Sequence, residues 1–135
     1  MKKISILTMI VLALGLLLTS CGASGGPTTL HVNMSEFAFE PSTLTVPAGQ
    51  QITLDLKNIG SIEHDFNILK KGVVVHGKFD HDKQADDVYF HAMLEAGEQG
   101  TFTFTAPTEA GEYQVVCGIA GHFQSGMIGT LIVVP

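Results

Sequence analysis

The sequence predicts an all-β domain, a two-sheet Greek-key sandwich of roughly seven or eight strands. From Leu30 onward, short runs rich in Val, Ile, Thr and Phe are separated by Gly, Pro and Asn residues typical of turns. No stretch shows the sustained 3.6-residue apolar period of an amphipathic helix. The 135 residues are enough for one domain of this kind.

The first segment has the layout of an export signal. Met1-Lys2-Lys3 is basic, and residues 4–18 are almost entirely apolar. This apolar run is shorter than the roughly 20 residues that a membrane-spanning helix needs. The run ends in small residues and Cys21, which resembles the bacterial lipobox, so we expect cleavage before Cys21 and acylation of this cysteine. An ordinary signal peptide or an uncleaved anchor is the alternative.

Three segments follow from this pattern. Residues 1–20 are the expected lipoprotein signal peptide, residues 21–29 a flexible tether rich in Gly, Ser, Pro and Thr, and residues 30–135 the β domain. The domain is then exported and held by lipid on the outer face of the cell membrane or in the periplasm. After residue 20, five lysines face thirteen acids, a formal charge of −8 with histidines neutral. Such a surface repels nucleic acid, so no nucleic-acid binding is expected.

Strand-like alternation recurs along the β domain, in residues 42–46, 51–57, 101–105, 112–117 and 128–134. Pro47-Ala48-Gly49 forms a turn after the first of these segments. Residues 70–94 differ, because they hold eight of the twenty charged side chains together with His76, His81 and His91. We expect a long excursion with a short helix or small strands of its own. A solvated charged loop is the favoured interpretation of these histidines, and a second metal site that includes His81 is the alternative.

Three metal-binding side chains lie close together near the C-terminus. Cys117, His122 and Met127 are spaced five residues apart, with glycines between them. If Cys21 is acylated, Cys117 is the only thiol left in an exported chain, where a free thiol is a liability. A thiolate, an imidazole and a thioether are soft ligands that select copper. One loop between two strands can deliver all three ligands to one point.

A fourth copper ligand is expected from another strand. In residues 62–68, period-2 alternation places His64 among Ile62, Phe66 and Ile68, and Asp65 on the other face. An imidazole buried among apolar side chains needs a polar partner. We therefore assign His64 as the fourth ligand, with a hydrogen-bonded core histidine as the alternative.

These motifs resemble those of the cupredoxins, the type 1 blue copper proteins, and among them most of all the auracyanins. The similarity covers nearly all of residues 30–135, from Phe37-Ala-Phe39 to the Gly111-Glu-Tyr113 approach to the cysteine and the ending around Met127. The resemblance implies one copper ion held by His64, Cys117, His122 and Met127. It also implies an electron carrier that cycles between Cu(I) and Cu(II), and not an enzyme, because four protein ligands leave no open position for a substrate.

The resemblance further implies how electrons enter and leave. The edge of His122 is the expected electron port, within an apolar patch formed by Ile119, Ala120 and Phe123. The expected partners are redox proteins with a positive or apolar docking face, such as cytochromes or reaction centres. The alternative function is an extracytoplasmic lipoprotein that delivers or sequesters copper.

Two positions depart from the family pattern. Asp65 stands where many cupredoxins have an asparagine that ties the two ligand loops together, and a carboxylate can only accept hydrogen bonds. Its negative charge near the metal favours Cu(II) and lowers the reduction potential. Ala120 stands where relatives often have proline, which predicts a less pre-ordered copper loop.

Overall fold

A computed structural model describes residues 26–135 of the chain. Its nine strands are β1 (Thr28–Ser35), β2 (Ala38–Glu40), β3 (Thr43–Pro47), β4 (Gln51–Asn58), β5 (His64–Leu69), β6 (Val88–Leu94), β7 (Gln99–Thr105), β8 (Gly111–Val116) and β9 (Ile128–Val134). One helical turn, α1 (His81–Gln84), continues into a 3-10 turn, Ala85–Asp87. The expected signal peptide and Cys21 lie outside the described residues. Within residues 26–135, no helix is long and apolar enough to cross a membrane.

The strands form two sheets, which confirms the predicted sandwich. One sheet has the order β2-β1-β4-β7 and the other the order β3-β9-β8-β5-β6. Two neighbouring pairs, β1 with β4 and β3 with β9, run parallel. Parallel neighbours need a crossover connection, and here the chain makes it by passing to the opposite sheet. The predicted turn after β3 is present, and Gly49 adopts a φ of 68° there.

Alternation along the strands builds the core between the sheets. On β4, Ile52, Leu54 and Leu56 are buried while their neighbours are not. The same period-2 pattern holds on β9, where Leu131 and Val133 point inward. Burial of these side chains on one face of each sheet is the main apolar contribution to the stability of the fold.

The charged excursion is shorter than predicted. Residues 88–94 form strand β6, which pairs antiparallel with β5 at the edge of the five-stranded sheet. Within the predicted excursion of residues 70–94, residues 70–87 lie outside the sheets. That stretch contributes Val75 and Phe79 to a second apolar cluster, together with Leu69, Val116 and Phe123. The acids that precede Val88 obscured the alternation of β6 in the sequence.

Strand β5 is consequently covered on both faces. All six of its residues are buried, including Asp65 and Asn67 on the face turned away from the main core. The prediction that Ile62 shares the inward face of this strand is wrong, because Ile62 precedes β5 and is exposed. The inward placement of His64, Phe66 and Ile68 is confirmed.

Two adjacent valines of β9 give a matched test of this core. Val133 is 2% exposed and Val134 is 37% exposed. We expect Val133→Ala to lower the free energy of unfolding by about 2 kcal/mol, because two buried methyl groups are lost and a cavity remains. Val134→Ala should change it by less than about 0.5 kcal/mol. Urea denaturation of both variants measures the difference, and equal losses would contradict the inward assignment of Val133.

Candidate metal centre

Three of the four predicted ligand residues lie at the ends of strands, and His122 lies in the loop between β8 and β9. His64 begins β5, Cys117 directly follows β8, and Met127 directly precedes β9. Strands β8 and β9 pair antiparallel, with Val116 opposite Ile128. This pairing puts Cys117 and Met127 side by side, and the Cys117 amide donates to the Met127 carbonyl at 3.3 Å.

The donor atoms converge in the interior of the domain. His64 Nδ1 and His122 Nδ1 are 3.1 Å apart, and Cys117 Sγ lies 3.4 Å from His122 Nδ1. One ligand atom each from His64, Cys117 and His122 lies within 4.8 Å of the others. Such spacings suit atoms that share one ion at bond lengths of about 2.0–2.3 Å. His64, Cys117 and Met127 are fully buried, and His122 is nearly so.

The loop from Cys117 to Met127 is held by its own hydrogen bonds. The His122 amide donates to the Ile119 carbonyl, and the Met127 amide donates to the His122 carbonyl, both at 3.0 Å. Gly121 and Gly126 adopt φ values of 86° and 95°, which glycine tolerates best. Ala120 is exposed in this loop. These bonds hold the backbone of the loop at His122, between the residues that carry the thiol and the thioether.

Asp65 connects the two parts of the site. Its Oδ1 accepts a hydrogen bond from the Gly118 amide, next to Cys117. The carboxylate thus ties the histidine strand to the cysteine loop as an acceptor. A Cβ built on Gly118 would lie 3.0 Å from Asp65 Oδ2 and 3.2 Å from the Phe79 ring, so the close approach also depends on glycine.

Burial governs the protonation of the ligands. It raises the pKa of the Cys117 thiol to about 12, with the Asp65 charge as a further cause. It also lowers the pKa of both His64 and His122, and the nearby His122 lowers the pKa of His64 further. Without a metal, neutral pH therefore leaves a thiol and two neutral imidazoles. A metal ion must displace only the thiol proton to obtain its ligands.

Residues that sequence reasoning missed enclose His64. Its Nε2 is buried and makes no hydrogen bond among the residues described, and Glu36 Oε1 lies 3.9 Å away. The Ser61 amide and hydroxyl donate to Glu36 at 2.6 and 3.0 Å, and the amide bond is the largest cause that lowers the Glu36 pKa to about 2. A carboxylate on the Nε2 side of a histidine favours the tautomer that carries its hydrogen on Nε2. The lone pair of Nδ1 is then free to bind a metal ion. No local pattern marks Glu36 for this position.

The surface above His122 differs from the predicted apolar patch. Phe123 is only 6% exposed and packs into the second apolar cluster, so it contributes almost nothing to a surface. Ile119 is half-buried and Ala120 is exposed. Phe37, 41% exposed, sets its ring edge against the His122 ring with centroids 5.2 Å apart. It lies between β1 and β2, far from the loop in sequence, so only the fold could reveal this contact.

The chain matches the family described as cupredoxin-like domain over residues 8–133. This chain is a cupredoxin. Auracyanin-B of Chloroflexus aurantiacus is 32% identical in an alignment of 113 residues that covers 73% of this chain and 48% of that protein. The copper-resistant cuproprotein CopI of Rubrivivax gelatinosus is 32% identical in an alignment of 111 residues that covers 78% of this chain and 66% of that protein. The cupredoxin therefore spans about half to two thirds of these relatives.

Among solved structures, an auracyanin is also similar to this chain. Dithionite-reduced auracyanin from Roseiflexus castenholzii superposes with a TM-score of 0.65 at 28% identity. The match covers 82% of this chain and all of that one. Two imidazoles, a thiolate and a thioether are the donors of a type 1 copper site. The buried donor set of this cupredoxin fits that chemistry, and its cofactor is one type 1 copper ion.

The charge of Asp65 gives a test of how the centre is tuned. We expect Asp65→Asn to raise the reduction potential by on the order of 50–100 mV, because removing a nearby negative charge disfavours Cu(II) by about 1–2 kcal/mol. The asparagine oxygen can still accept from the Gly118 amide. Redox titration of the copper-loaded variant measures the shift. Asp55→Asn, on β4 in the opposite sheet, removes the same charge as a control, and equal potentials in both variants would contradict the expectation.

Proposed function

We propose that this cupredoxin is an exported blue copper protein, tethered to a membrane, that carries single electrons between redox partners. We assign His64, Cys117, His122 and Met127 as the copper ligands. The observation that carries the proposal is the convergence of three donor atoms within 4.8 Å in a buried cluster, with Met127 buried beside the cysteine. The copper ion supplies the one-electron chemistry, between Cu(I) and Cu(II).

Rigidity of the ligand frame supports electron transfer over catalysis. The ligands project from paired strands and from a loop closed by its own hydrogen bonds. A frame that holds one geometry requires little movement when the oxidation state changes, which keeps the barrier to electron transfer low. Four protein donors also leave no position for a substrate. The chain's role is therefore to position the donors and to exclude water from them.

Replacement of the thiol tests the proposal directly. Loaded with Cu(II), the protein should show an intense absorption at about 600 nm, the charge-transfer band that a Cys thiolate gives in a His₂Cys site. Cys117→Ser should abolish this band, because a serine oxygen is a harder donor that cannot give it. Absorption spectroscopy of both proteins measures the effect. A colourless Cu(II)-loaded wild-type chain would refute the blue copper assignment.

Copper delivery or sequestration is the second candidate function, and the similarity to a copper-resistant cuproprotein is the observation that favours it. A buried thiolate should hold copper too firmly for easy transfer, which supports the electron carrier instead. The two functions differ in exchange with a chelator. Rapid transfer of Cu(I) from the reduced protein to a competing chelator would favour delivery, whereas retention of copper favours electron transfer.

Electrons are proposed to pass through the surface above His122. Phe37 contacts the His122 ring and is exposed, and Ile119 and Ala120 lie in the adjacent loop. A small apolar area of this kind suits a transient redox interface. The formal charge of −8 after residue 20 favours partners whose docking face is positive or apolar, of the cytochrome or reaction-centre kind.

A charge placed on this surface tests the route. We expect Phe37→Glu to slow electron exchange with a cytochrome by on the order of tenfold, equivalent to about 1.4 kcal/mol of docking energy. Stopped-flow kinetics at fixed ionic strength measure the rate. Val74→Glu adds the same charge at a residue that is also exposed, outside the copper loop. If both variants slow the reaction equally, the effect is one of net charge and Phe37 is not at the interface.

The membrane tether is proposed from the sequence alone. The apolar run, the lipobox-like ending at Cys21 and the Gly/Ser-rich residues 22–29 support it. We expect Cys21→Ser to move the protein from the membrane fraction to the soluble or unprocessed fraction, because no acyl chains can be attached. Fractionation and mass spectrometry of the N-terminal peptide measure this. An unmodified Cys21 in the wild-type protein would contradict it.

A further inference from the structure

A second cluster of metal-binding side chains lies on the other face of β5. Asp65, His81 and His91 each offer one ligand atom, and these atoms lie within 4.8 Å of one another. They come from β5, α1 and β6, so only the fold brings them together. None of the three is a ligand in the proposed copper centre, although Asp65 follows His64 directly.

Asn67 sets the tautomer of His81. This buried amide donates through Nδ2 to the Val116 carbonyl at 3.2 Å, which fixes its orientation. Its Oδ1 then lies 2.8 Å from His81 Nδ1. Because a carbonyl oxygen can only accept, Nδ1 must carry the hydrogen, and Nε2 of the neutral ring keeps its lone pair. An outer hydrogen bond of this kind typically orients a histidine that binds a metal.

Asp65 and His91 face each other at a distance too long for a hydrogen bond. His91 Nε2 is 3.8 Å from Asp65 Oδ2, whereas N–H···O bonds are about 2.7–3.2 Å. Oδ1 of the same carboxylate is already occupied by the Gly118 amide. When a nitrogen and an oxygen each bind the same ion at about 2.0–2.2 Å, the two atoms lie less than about 4.4 Å apart. The distance from His91 Nε2 to Asp65 Oδ2 is within that limit. The His81 ring stacks on the His91 ring with centroids 3.9 Å apart. This stacking holds the His81 imidazole next to His91 and Asp65.

We propose that Asp65, His81 and His91 form a second metal site, which takes a divalent transition-metal ion such as Zn²⁺. Two imidazoles and one carboxylate suit such ions better than Mg²⁺ or Ca²⁺, which prefer oxygen ligands. The His91 side chain is 34% exposed, so an ion can enter from solvent and complete its coordination with water.

The two sites share one carboxylate, which couples them if the proposed copper centre is correct. Asp65 accepts from the amide next to Cys117 through one oxygen and faces the second site through the other. A cation bound to Oδ2 offsets the charge that Asp65 places near the copper. Zinc should therefore raise the reduction potential of the copper, in the same direction as Asp65→Asn.

Zinc titration of the copper-loaded, full-length protein, purified without a histidine tag, tests the second site. Isothermal calorimetry should give one Zn²⁺ per chain while the copper absorption is retained. We expect His81→Phe and His91→Phe each to weaken zinc binding at least about tenfold, because each removes one ligand. His81→Phe keeps an aromatic ring against His91. His31→Phe is the matched control, since His31 lies 3.1 Å from Asp55 but belongs to neither three-residue cluster.

The outcomes separate this site from the copper centre. Zinc binding that is absent in the wild-type protein, or unchanged in both His81→Phe and His91→Phe, would overturn the proposal. The same titration of Cys117→Ser reports on the second site whether or not the chain holds copper as proposed. Asp65 variants are not used for this purpose, because they alter both sites.

Discussion

Strands β5 and β8 pair antiparallel through Asn67 opposite Val116, and beyond that pair the Asp65 carboxylate accepts a hydrogen bond from the Gly118 amide. His64 precedes Asp65 and Cys117 precedes Gly118, so this junction brings a histidine and a cysteine together across the sheet. The β8–β9 hairpin then adds Met127, and the loop between these strands adds His122. A shift of one residue in this register would turn His64 away from the thiol.

The junction between β5 and β8 is stabilised because β5 is covered on both faces. The main core packs on Phe66 and Ile68, while the second apolar cluster packs around Leu69 on the opposite side. Polar groups enclosed in this way must be paired, since each unpaired one costs about 1–3 kcal/mol. Asp65 and Asn67 meet this requirement through the Gly118 amide and the Val116 carbonyl. The charged excursion thus covers the outer face of β5 and also contributes His81 to the second cluster of metal-binding side chains.

Sequence reasoning was most successful where contacts are local. Alternation located most of the strands, and the inward faces of β4, β5 and β9 follow from it. It failed at Ile62, which lies just before β5, and at residues 88–94, where neighbouring acids obscured an edge strand. Phe123 illustrates a third limit. Its apolar character suited a surface patch equally well, and only the packing of the excursion against the copper loop buries it.

The sequence by itself predicted a copper protein, because Cys117, His122 and Met127 lie within one short loop and soft donors at such spacing are expected to select copper. Period-2 alternation also marked His64 as an inward histidine. The tertiary structure decided what surrounds these donors. His64 and His122 are 58 residues apart. Glu36 and Phe37 approach the proposed copper centre from the connection between β1 and β2, while His81 and His91 reach the second cluster from α1 and β6. Alternation tells which residues share a face, whereas the meeting of two faces depends on strand order and register, which no local pattern encodes.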